Sequence, residues 1–406
     1  MRPIRTLLFS TLYPSRARPT HGIFVETRLR ELLKSGEVES RVIAPVPWFP
    51  FSGPRFGEYG RMAATPRLEI RNQIEVRHPR YFLPPKIGMH IAPFTLFQGA
   101  MPAVRKLIAE GFDFDLIDAH YYYPDGVAAA MIARAIGKPF IVTARGSDLN
   151  LLLDYPGPRH RILEAAARAS ASVGVSKALM GLLEQLGAEK AKLHVLRNGV
   201  DLECFVPLPR EEARQHLGLH DAAQPKQRII LSVGRLTDTK GHGIAIEALV
   251  GLPLDTKLVV VGEGEERKAL EKQARDLRVS ERVRFAGAAP QIELKWWYSA
   301  ADALALCSSR EGWANVLLEA MACGTPVVAT KIGGTPEVVC SPNAGVLMQE
   351  RSAAALVGAL EALFANYPER AAVRCYAEGY SWQATTAGQL KIFREVIDAG
   401  KPVDAS

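Results

Sequence analysis

The sequence has few cysteines, and their distribution excludes several kinds of site. The chain has five cysteines in 406 residues, with no Cys-x-x-Cys pair and no histidine at the spacing of a zinc ligand. An odd, scattered set in a long chain indicates reduced thiols. We therefore expect a cytoplasmic protein without structural zinc. The five are Cys204, Cys307, Cys323, Cys340 and Cys375.

Long apolar runs are also rare. The run at residues 6–13 is closed by Pro14 and has no small-residue cleavage site, so it predicts a first buried strand rather than a signal peptide. Residues 87–104 carry no formal charge, but His90 and two prolines argue against a membrane-spanning helix. Two interpretations stay open for this segment: a buried helix, or a segment that lies against a bilayer or a lipid acceptor.

The signals of nucleic-acid binding are missing, although the formal net charge is +7. No Lys-rich run, zinc-finger spacing or RNP-like aromatic motif occurs, so we expect no nucleic-acid partner. Residues 1–200 hold 27 Lys or Arg against 17 Asp or Glu, whereas the remainder holds 23 against 26. The basic first half fits phosphates or an anionic membrane, and it equally fits an ordinary solvated surface.

What the chain does have is a steady alternation of short apolar runs and helical patterns. This alternation predicts βαβ units with parallel strands, and hence an α/β fold of two doubly wound, Rossmann-like domains facing a central cleft. The expected domains are 1–205 and 206–378, with a closing helical segment at 379–406 that packs back across the hinge. A break at residues 206–209, followed by the polar stretch 220–226, marks the linker. The predicted strands are 6–13, 41–46, 116–120, 139–143, 172–175, 193–196, 229–233, 258–261, 283–285, 303–307 and 326–330.

Ligands of open α/β sheets bind outside the carboxyl ends of strands, so polar groups that follow strands are informative. Residues 234–241, Gly-Arg-Leu-Thr-Asp-Thr-Lys-Gly, follow one strand and supply Arg235 and Lys240. Two fixed cations with flanking glycines suit a diphosphate. A solvated basic loop is the alternative. The stretch Gly-Glu-Gly-Glu-Glu-Arg at 262–267 lacks the third glycine of a dinucleotide fingerprint, and helix capping explains it better.

The strongest constellation is residues 308–330, which run from a strand end through a loop and a helix to a glycine turn and a further strand. Glu311 falls in the loop, and Glu319 lies eight positions later on the helix. Carboxylates accept hydrogen bonds from sugar and ribose hydroxyls. Free amides at the start of the helix can bind phosphate oxygens, and these amides belong to Asn315, Val316 and Leu317.

This segment resembles the E-x7-E signature of the family 4 glycosyltransferases. The similarity extends to the Gly-Gly loop at 332–337, to Asn-Gly-Val-Asp at 198–201 and to Tyr-Ser-Trp at 380–382. The resemblance implies a GT-B fold in which Arg235 and Lys240 hold the donor diphosphate. It also implies that Glu311 binds the donor sugar near the reacting face, that Glu319 binds the ribose, and that the amides at 315–317 touch the phosphates.

The first half resembles the family more loosely. His120 ends a predicted strand where the family keeps a histidine near the donor sugar, so the resemblance implies a catalytic role. Gly22 lies in the loop after the first strand, where glycine lets the backbone approach donor phosphate or acceptor. Arg145 stands where many relatives have histidine. Arg145 and Asp148 are candidate contacts to acceptor or sugar, and they equally fit a pair with each other.

The resemblance implies a retaining hexosyltransferase that uses a UDP- or GDP-sugar and a saccharide or lipid-linked acceptor. Bacterial surface polysaccharide or lipopolysaccharide synthesis is the expected setting. No cofactor or metal is expected, since the sequence has no DxD-type carboxylate pair at a strand end. The basic first half and the aromatic residues Trp48, Phe49 and Phe51 suggest peripheral association with an anionic membrane. The alternatives are a nucleotide-sugar epimerase on the same fold and a catalytically silent donor-binding scaffold.

Overall fold

The computed structural model describes residues 2–84, 87–220 and 227–400, which form two compact units. The first contains the chain up to Leu196 together with the residues from Gln383 onward, and the second is Arg197–Trp382. The first boundary therefore precedes the expected 205/206, and the second follows the expected 378/379. Residues 221–226 of the predicted linker and 401–406 of the predicted closing segment lie outside the described residues.

The shift of the boundaries has a cause in main-chain hydrogen bonding. The Val200 N–H donates to the Tyr380 carbonyl at 2.9 Å. The Arg374 guanidinium donates to the carbonyls of Leu202 and Phe205, at 3.2 and 2.5 Å. Residues 197–205 are thus bonded into the second unit, and no composition signal in the sequence marks those bonds.

The first unit is built on an eight-stranded sheet in the order β10-β9-β8-β7-β1-β2-β5-β4. Its strands are parallel except for β4, which pairs antiparallel with β5. A small sheet pairs β3 with β6. The strands of this unit are β1 (Ile4–Phe9), β2 (Val38–Ile43), β3 (Val46–Pro47), β4 (Leu68–Arg71), β5 (Ile74–Arg77), β6 (Arg80–Tyr81), β7 (Leu116–His120), β8 (Phe140–Ala144), β9 (Ala171–Gly174) and β10 (Leu193–Val195).

Helices connect these strands and cover both faces of the sheet in the manner of a doubly wound fold. The central strands β7 and β8 are buried at every position, which explains their continuous apolar sequences. The helices of the first unit are α1 (Ile23–Leu33), α2 (Gly57–Ala64), α3 (Gly88–Ala109), α4 (Val127–Ile136), α5 (Ser147–Asn150), α6 (Pro156–Arg168) and α7 (Lys177–Gln185).

The second unit has a six-stranded parallel sheet in the order β13-β12-β11-β14-β15-β16, the strand order of a Rossmann domain. The strands are β11 (Arg228–Val233), β12 (Thr256–Val261), β13 (Val283–Gly287), β14 (Ala303–Leu306), β15 (Val327–Thr330) and β16 (Gly345–Met348). The helices are α8 (Arg210–His216), α9 (His242–Ala248), α10 (Arg267–Asp276), α11 (Leu294–Ala300), α12 (Asn315–Ala322), α13 (Thr335–Val338), α14 (Ala353–Ala365) and α15 (Arg370–Glu378).

The last described helix, α16 (Trp382–Ala399), returns to the first unit. Its residues Leu390, Phe393 and Val396 are buried in one apolar cluster with Leu116 of β7 and Ile141 of β8. This cluster makes α16 part of the core of the first unit rather than an appendage.

The segment at residues 87–104 forms most of α3, and its apolar side chains divide between core and surface. Leu96, Ala100 and Val104 are buried, whereas Met89 and Phe94 are exposed. No helix among residues 2–84, 87–220 and 227–400 has the length and apolar character needed to cross a bilayer. The buried-helix interpretation therefore fits one face of this segment, and its other face is exposed.

Candidate functional site

In each unit the sheet has a point where successive crossovers leave in opposite directions, which is where ligands of open α/β sheets bind. In the second sheet this point lies between the neighbouring strands β11 and β14. The loops that leave these two strands are 234–241 and 307–314. Both had been singled out by the sequence, and the structure brings their predicted residues together.

Lys240 and Glu311 are the centre of this cluster. The Lys240 Nζ lies 2.6 Å from Glu311 Oε1, and the Ser308 hydroxyl donates to the same oxygen at 2.7 Å. Glu311 is buried, whereas the Lys240 side chain is about one-third exposed. A cation and a carboxylate therefore face each other at the carboxyl ends of β11 and β14.

Close packing holds the two loops against each other. Gly241 has φ +70°, and a Cβ at this position would lie 2.1 Å from the Cys307 carbonyl oxygen, so no other residue fits without a shift of the backbone. The Ser309 N–H donates to the Thr239 carbonyl at 2.8 Å. Arg351 joins both loops, donating to the carbonyls of Cys307 at 2.9 Å and Asp238 at 2.8 Å.

Arg235 is placed differently from Lys240. Its side chain is largely exposed, and Nη2 lies 3.4 Å from Glu265 Oε2. An exposed pair at this distance is held weakly, so the guanidinium is available to a ligand. The main chain of Arg235 is more firmly fixed, because its carbonyl lies 3.2 Å from His242 Nε2 while His242 Nδ1 lies 2.9 Å from the Ser232 hydroxyl.

The three predicted amides open helix α12. The Leu317 N–H donates to the Ala314 carbonyl at 3.1 Å within the first turn. This N–H is therefore already hydrogen-bonded within the helix, whereas the sequence predicted a free donor. Asn315 Oδ1 accepts from Asn198 Nδ2 at 3.2 Å. The amides of Asn315 and Val316 begin the helix and benefit from its dipole, so they are the better placed of the three for an anion.

Glu319 faces a tyrosine. Its Oε2 accepts from the buried Tyr298 hydroxyl at 2.7 Å. Loss of hydration raises the pKa of Glu319 to about 7, although the hydrogen bond from Tyr298 opposes the shift. At neutral pH this carboxyl is therefore divided between its charged and its neutral form.

The Gly-Gly loop at 332–337 covers the backbone of Glu311. Gly333 has φ +52°, and a Cβ there would lie 2.0 Å from the Glu311 carbonyl oxygen. The Gly334 N–H donates to the same carbonyl at 3.3 Å. This loop also carries Glu337, whose carboxylate pairs with Arg197 at 2.7 Å.

In the first unit, His120 is the last residue of β7 and is buried, with 1 % of its surface exposed. Burial lowers the pKa of His120 to about 4, although Asp118 opposes the shift, so the ring is neutral at pH 7. Arg145 Nη2 donates to Nδ1, which assigns the ring proton to Nε2, 3.4 Å from Asp118 Oδ2. His120 thus lies behind Arg145 and is not open to solvent.

A buried polar chain continues from His120 into the core. Gln389 of α16 donates to Asp118 Oδ2 at 2.8 Å, and Arg28 of α1 donates to Gln389 Oε1 at 2.8 Å. Arg28 is fully buried, and the loss of hydration lowers its pKa to about 10 while Asp118 opposes that shift. The groups around the imidazole therefore come from β7, α1, α16 and the loop after β8.

Arg145 and Asp148 have separate partners. The Arg145 guanidinium reaches His120 and lies over the Phe24 ring, 5.5 Å from its centroid. The Asp148 carboxylate accepts the main-chain N–H groups of Tyr122 at 2.9 Å, Gly146 at 2.7 Å and Arg145 at 3.1 Å. Asp148 therefore shapes the loop after β8, while Arg145 is the half-buried member of the two.

Gly22 begins α1 with φ +70°, and a Cβ there would lie 2.3 Å from the Leu12 carbonyl carbon. Packing against its own chain is thus sufficient to require glycine. Beside it, Thr11 donates through its N–H and its hydroxyl to Asp125, at 2.6 and 2.9 Å. Burial raises the pKa of Asp125 to about 7.

The sequence singled out no role for several residues that complete these sites. His242 could have been found, because it directly follows the glycine of the 234–241 loop. Tyr298, Arg351 and Gln389 carry no local signal. Gln389, for example, is 271 positions from Asp118, and only the fold brings the two together.

Comparisons with known proteins agree with the fold. Residues 22–204 match the model of glycosyltransferase family 4, and residues 220–380 match that of the glycosyl transferases group 1. D-inositol 3-phosphate glycosyltransferase 1 of Catenulispora acidiphila is 31% identical over 388 residues, covering 86% of this chain and 89% of that protein. TuaC of Bacillus subtilis (strain 168), named as a glycosyltransferase of teichuronic acid biosynthesis, is 30% identical over 365 residues, covering 88% of each.

A solved structure gives the same architecture. The complex of Anabaena Alr3699/HepE with UDP and glucose matches with a TM-score of 0.72 at 20% identity, covering 97% of this chain and 100% of that one. Together with the two parallel sheets, these similarities confirm the fold expected from the sequence. The chain belongs to glycosyltransferase family 4 and is a glycosyltransferase with two Rossmann-like domains of the GT-B type.

Proposed function

We propose that this glycosyltransferase is a retaining enzyme that moves a hexose from a nucleoside diphosphate sugar to a saccharide or lipid-linked acceptor, without a metal. The observation that carries the donor side is the Lys240–Glu311–Ser308 cluster at the β11–β14 switch point, next to the start of α12. A ligand that supplies both a diphosphate and sugar hydroxyls satisfies both members of this ion pair. The UDP and glucose bound by Alr3699/HepE belong to the same class of ligand.

In the proposed donor complex the diphosphate takes over Lys240 and Arg235, and the freed Glu311 carboxylate accepts sugar hydroxyls. Glu319 binds the ribose, and the amides of Asn315 and Val316 add donors to the phosphate oxygens. These groups stabilise the charge that develops on the leaving diphosphate, which is the part a divalent cation plays in other enzymes. We infer that Lys240 binds the diphosphate because it lies in the loop after β11; in the ligand-free protein it is paired with Glu311.

The proposed chemical step occurs on one face of the sugar. The bond from the anomeric carbon to the diphosphate oxygen breaks, the acceptor hydroxyl oxygen bonds to that carbon from the same side, and its proton passes to the leaving phosphate oxygen. The protein positions the reactants and supplies electrostatic stabilisation. We assign Arg145 to the reacting sugar as a hydrogen-bonding group. Buried His120 lies behind it and positions it, because His120 Nδ1 accepts from the Arg145 guanidinium, and a pKa of about 4 makes His120 a poor base at pH 7.

We also propose that the enzyme works at the inner face of an anionic membrane in bacterial surface polysaccharide synthesis. The segment at 48–61 supports this assignment, because it presents exposed Trp48 and Phe51 beside exposed Arg55 and Arg61. Apolar rings and cations on one surface suit an anionic bilayer. The teichuronic acid assignment of TuaC is consistent with such a pathway.

The test is thermal unfolding with UDP-, GDP- and ADP-hexoses, because a ligand that binds only the native state raises its stability. One nucleotide should raise the Tm selectively, and Lys240→Ala should abolish that rise. The transition should be the same with and without EDTA. The absence of a shift with every donor would remove the proposal and favour the scaffold alternative, while donor turnover without any acceptor would favour the epimerase.

A further inference from the structure

The first unit contains a cavity of about 680 Å³ that the donor chemistry does not use. Most of its wall is apolar and comes from helices α2 and α3, the strand β6 and the loop after α5. Its lining includes Met62, Tyr81, Leu83, Met89, Ala92 and Leu152. Cavities of this size and character bind small organic ligands or parts of larger ones.

Several polar groups in the wall are engaged with other protein groups. Glu58 pairs with Arg18 at 2.7 Å. The Tyr121 hydroxyl lies 2.8 Å from the Ser147 hydroxyl, and the Tyr123 hydroxyl donates to the Met89 carbonyl. A saccharide in this space would replace only a few of the hydrogen bonds that its hydroxyls make to water, and that loss is costly. A hydrocarbon has no such loss, so the cavity favours an apolar occupant.

The cavity lies at the edge of the sheet where its parallel strands end. Thr11 follows β1, and Tyr121 and Pro124 follow His120 at the end of β7. These are the two strands at the switch point of the first sheet. An apolar chain in the cavity would therefore hold an attached polar group close to His120 and Arg145.

The cavity opens onto an apolar surface. Tyr59 and Met89 belong to the lining and are also exposed, by 51% and 38%. Exposed apolar residues adjoin the lining along the chain: Trp48 follows Pro47, and Phe82 precedes Leu83. A hydrocarbon chain thus has an apolar path between the cavity and the outside, as an acceptor drawn from a membrane requires.

We propose that this cavity binds the hydrocarbon chain of a lipid-linked acceptor and so sets the preference of the enzyme for acceptors that carry one. The inference deepens the proposed function, on which it rests. Acceptor affinity then has two parts, a polar one near His120 and an apolar one that grows with the length of the buried chain. Each CH2 group that enters the cavity adds up to about fourfold in affinity.

The experiment measures binding of n-alkyl β-D-glucosides, from butyl to octyl and below their micelle-forming concentrations, by titration calorimetry. Affinity in the unaltered protein should rise with chain length. Ala92→Phe fills the cavity from α3 and should remove the dependence on chain length. Leu152→Trp fills it from the other wall and provides the same test if the first variant does not fold. Ala109→Phe, an exposed change on the same helix, should behave like the unaltered protein.

The inference would be overturned if glucoside affinity rose equally with chain length in the unaltered protein and in both filled variants. It would also be overturned if affinity in the unaltered protein did not depend on chain length. If Ala92→Phe changed binding to POPC vesicles but not to the glucosides, the cavity would hold bilayer lipid, and the inference would again be wrong. Donor-induced stabilisation separates this inference from the proposed function. If donors still stabilise the protein while glucoside affinity does not depend on chain length, only the acceptor inference fails. If donors do not stabilise the protein while affinity still rises with chain length, the donor assignment fails.

Discussion

At the scale of single residues, Lys240 and Glu311 neutralise each other 2.6 Å apart in the ligand-free protein. Half-burial of this pair keeps the site polar and ordered before the donor arrives. Because the two side chains differ in burial, substitution of one has a different consequence from substitution of the other. Loss of Lys240 leaves a buried carboxylate with the Ser308 hydroxyl, whereas loss of Glu311 leaves a cation that is partly open to water.

We predict that Lys240→Ala lowers kcat by about a hundredfold to a thousandfold, because one donor to the developing charge is lost. The rate of nucleotide diphosphate release in the presence of acceptor measures this effect. Lys268→Ala, which removes an exposed lysine on α10, is the matched control and should keep normal turnover. Normal turnover in Lys240→Ala would contradict the donor site.

A second prediction at this scale concerns Glu319, whose pKa is raised to about 7 by loss of hydration. The carboxylate accepts ribose hydroxyls through either oxygen better than the acid, so donor binding should tighten as pH rises. Between pH 6 and pH 8 the charged fraction increases about tenfold for this pKa, and the Kd should fall by a similar factor. In Glu319→Gln the Kd should be weaker and nearly independent of pH. A pH dependence that survived in Glu319→Gln would assign it to another group.

At the scale of elements, α16 completes both the apolar core and the polar chain of the first unit. Gln389 bridges Arg28 and Asp118 by hydrogen bonds in the chain of contacts that ends at His120. Its amide is suited to this position, because it accepts from the guanidinium on one side and donates to the carboxylate on the other.

We predict that Gln389→Leu lowers the free energy of unfolding by about 2–4 kcal/mol, since it removes hydrogen bonds from two buried charged groups. Urea unfolding followed by circular dichroism measures this change. The control is Gln383→Leu, on an exposed position of the same helix, and it should differ from the parent by less than about 0.5 kcal/mol. Equal stability of the two variants would show that the polar chain adds little to folding.

At the scale of the whole molecule, the charge of the chain is divided unevenly, and the exposed aromatic residues of segment 48–61 lie in its basic half. We predict binding to POPG-containing vesicles that weakens with added salt, because cations near an anionic surface act within a Debye length. Vesicle flotation measures the bound fraction. Trp48→Ser with Phe51→Ser should reduce it, while Leu254→Ser, an exposed apolar residue of the second unit, should not. Equal binding by both variants would assign the effect to charge alone.

Sequence patterns predicted most strands of both central sheets, because a strand buried on both faces reads as a continuous apolar run. They missed β16, an edge strand of the second sheet with one fully buried residue in four. The hairpin of β4 and β5 was missed, since β4 is an edge strand with exposed Leu68 and Ile70 and gives no such run. Loop residues such as Lys240 and Glu311 were found because each closely follows a predicted strand. Their distant supports were not, since Tyr298 and Gln389 act through contacts that only the folded chain creates.

The place of α16 has a consequence for the order in which the protein forms during synthesis. The second unit is one continuous stretch, Arg197–Trp382, whereas the first lacks Gln389 and Phe393 until residues beyond that stretch have been made. Domains usually mature from the amino terminus as they leave the ribosome. In this protein the first unit cannot complete its core until the second unit has been synthesised. Until then Gln389 is absent and does not bridge Arg28 and Asp118. A chaperone is therefore expected to meet the nascent first unit rather than the second.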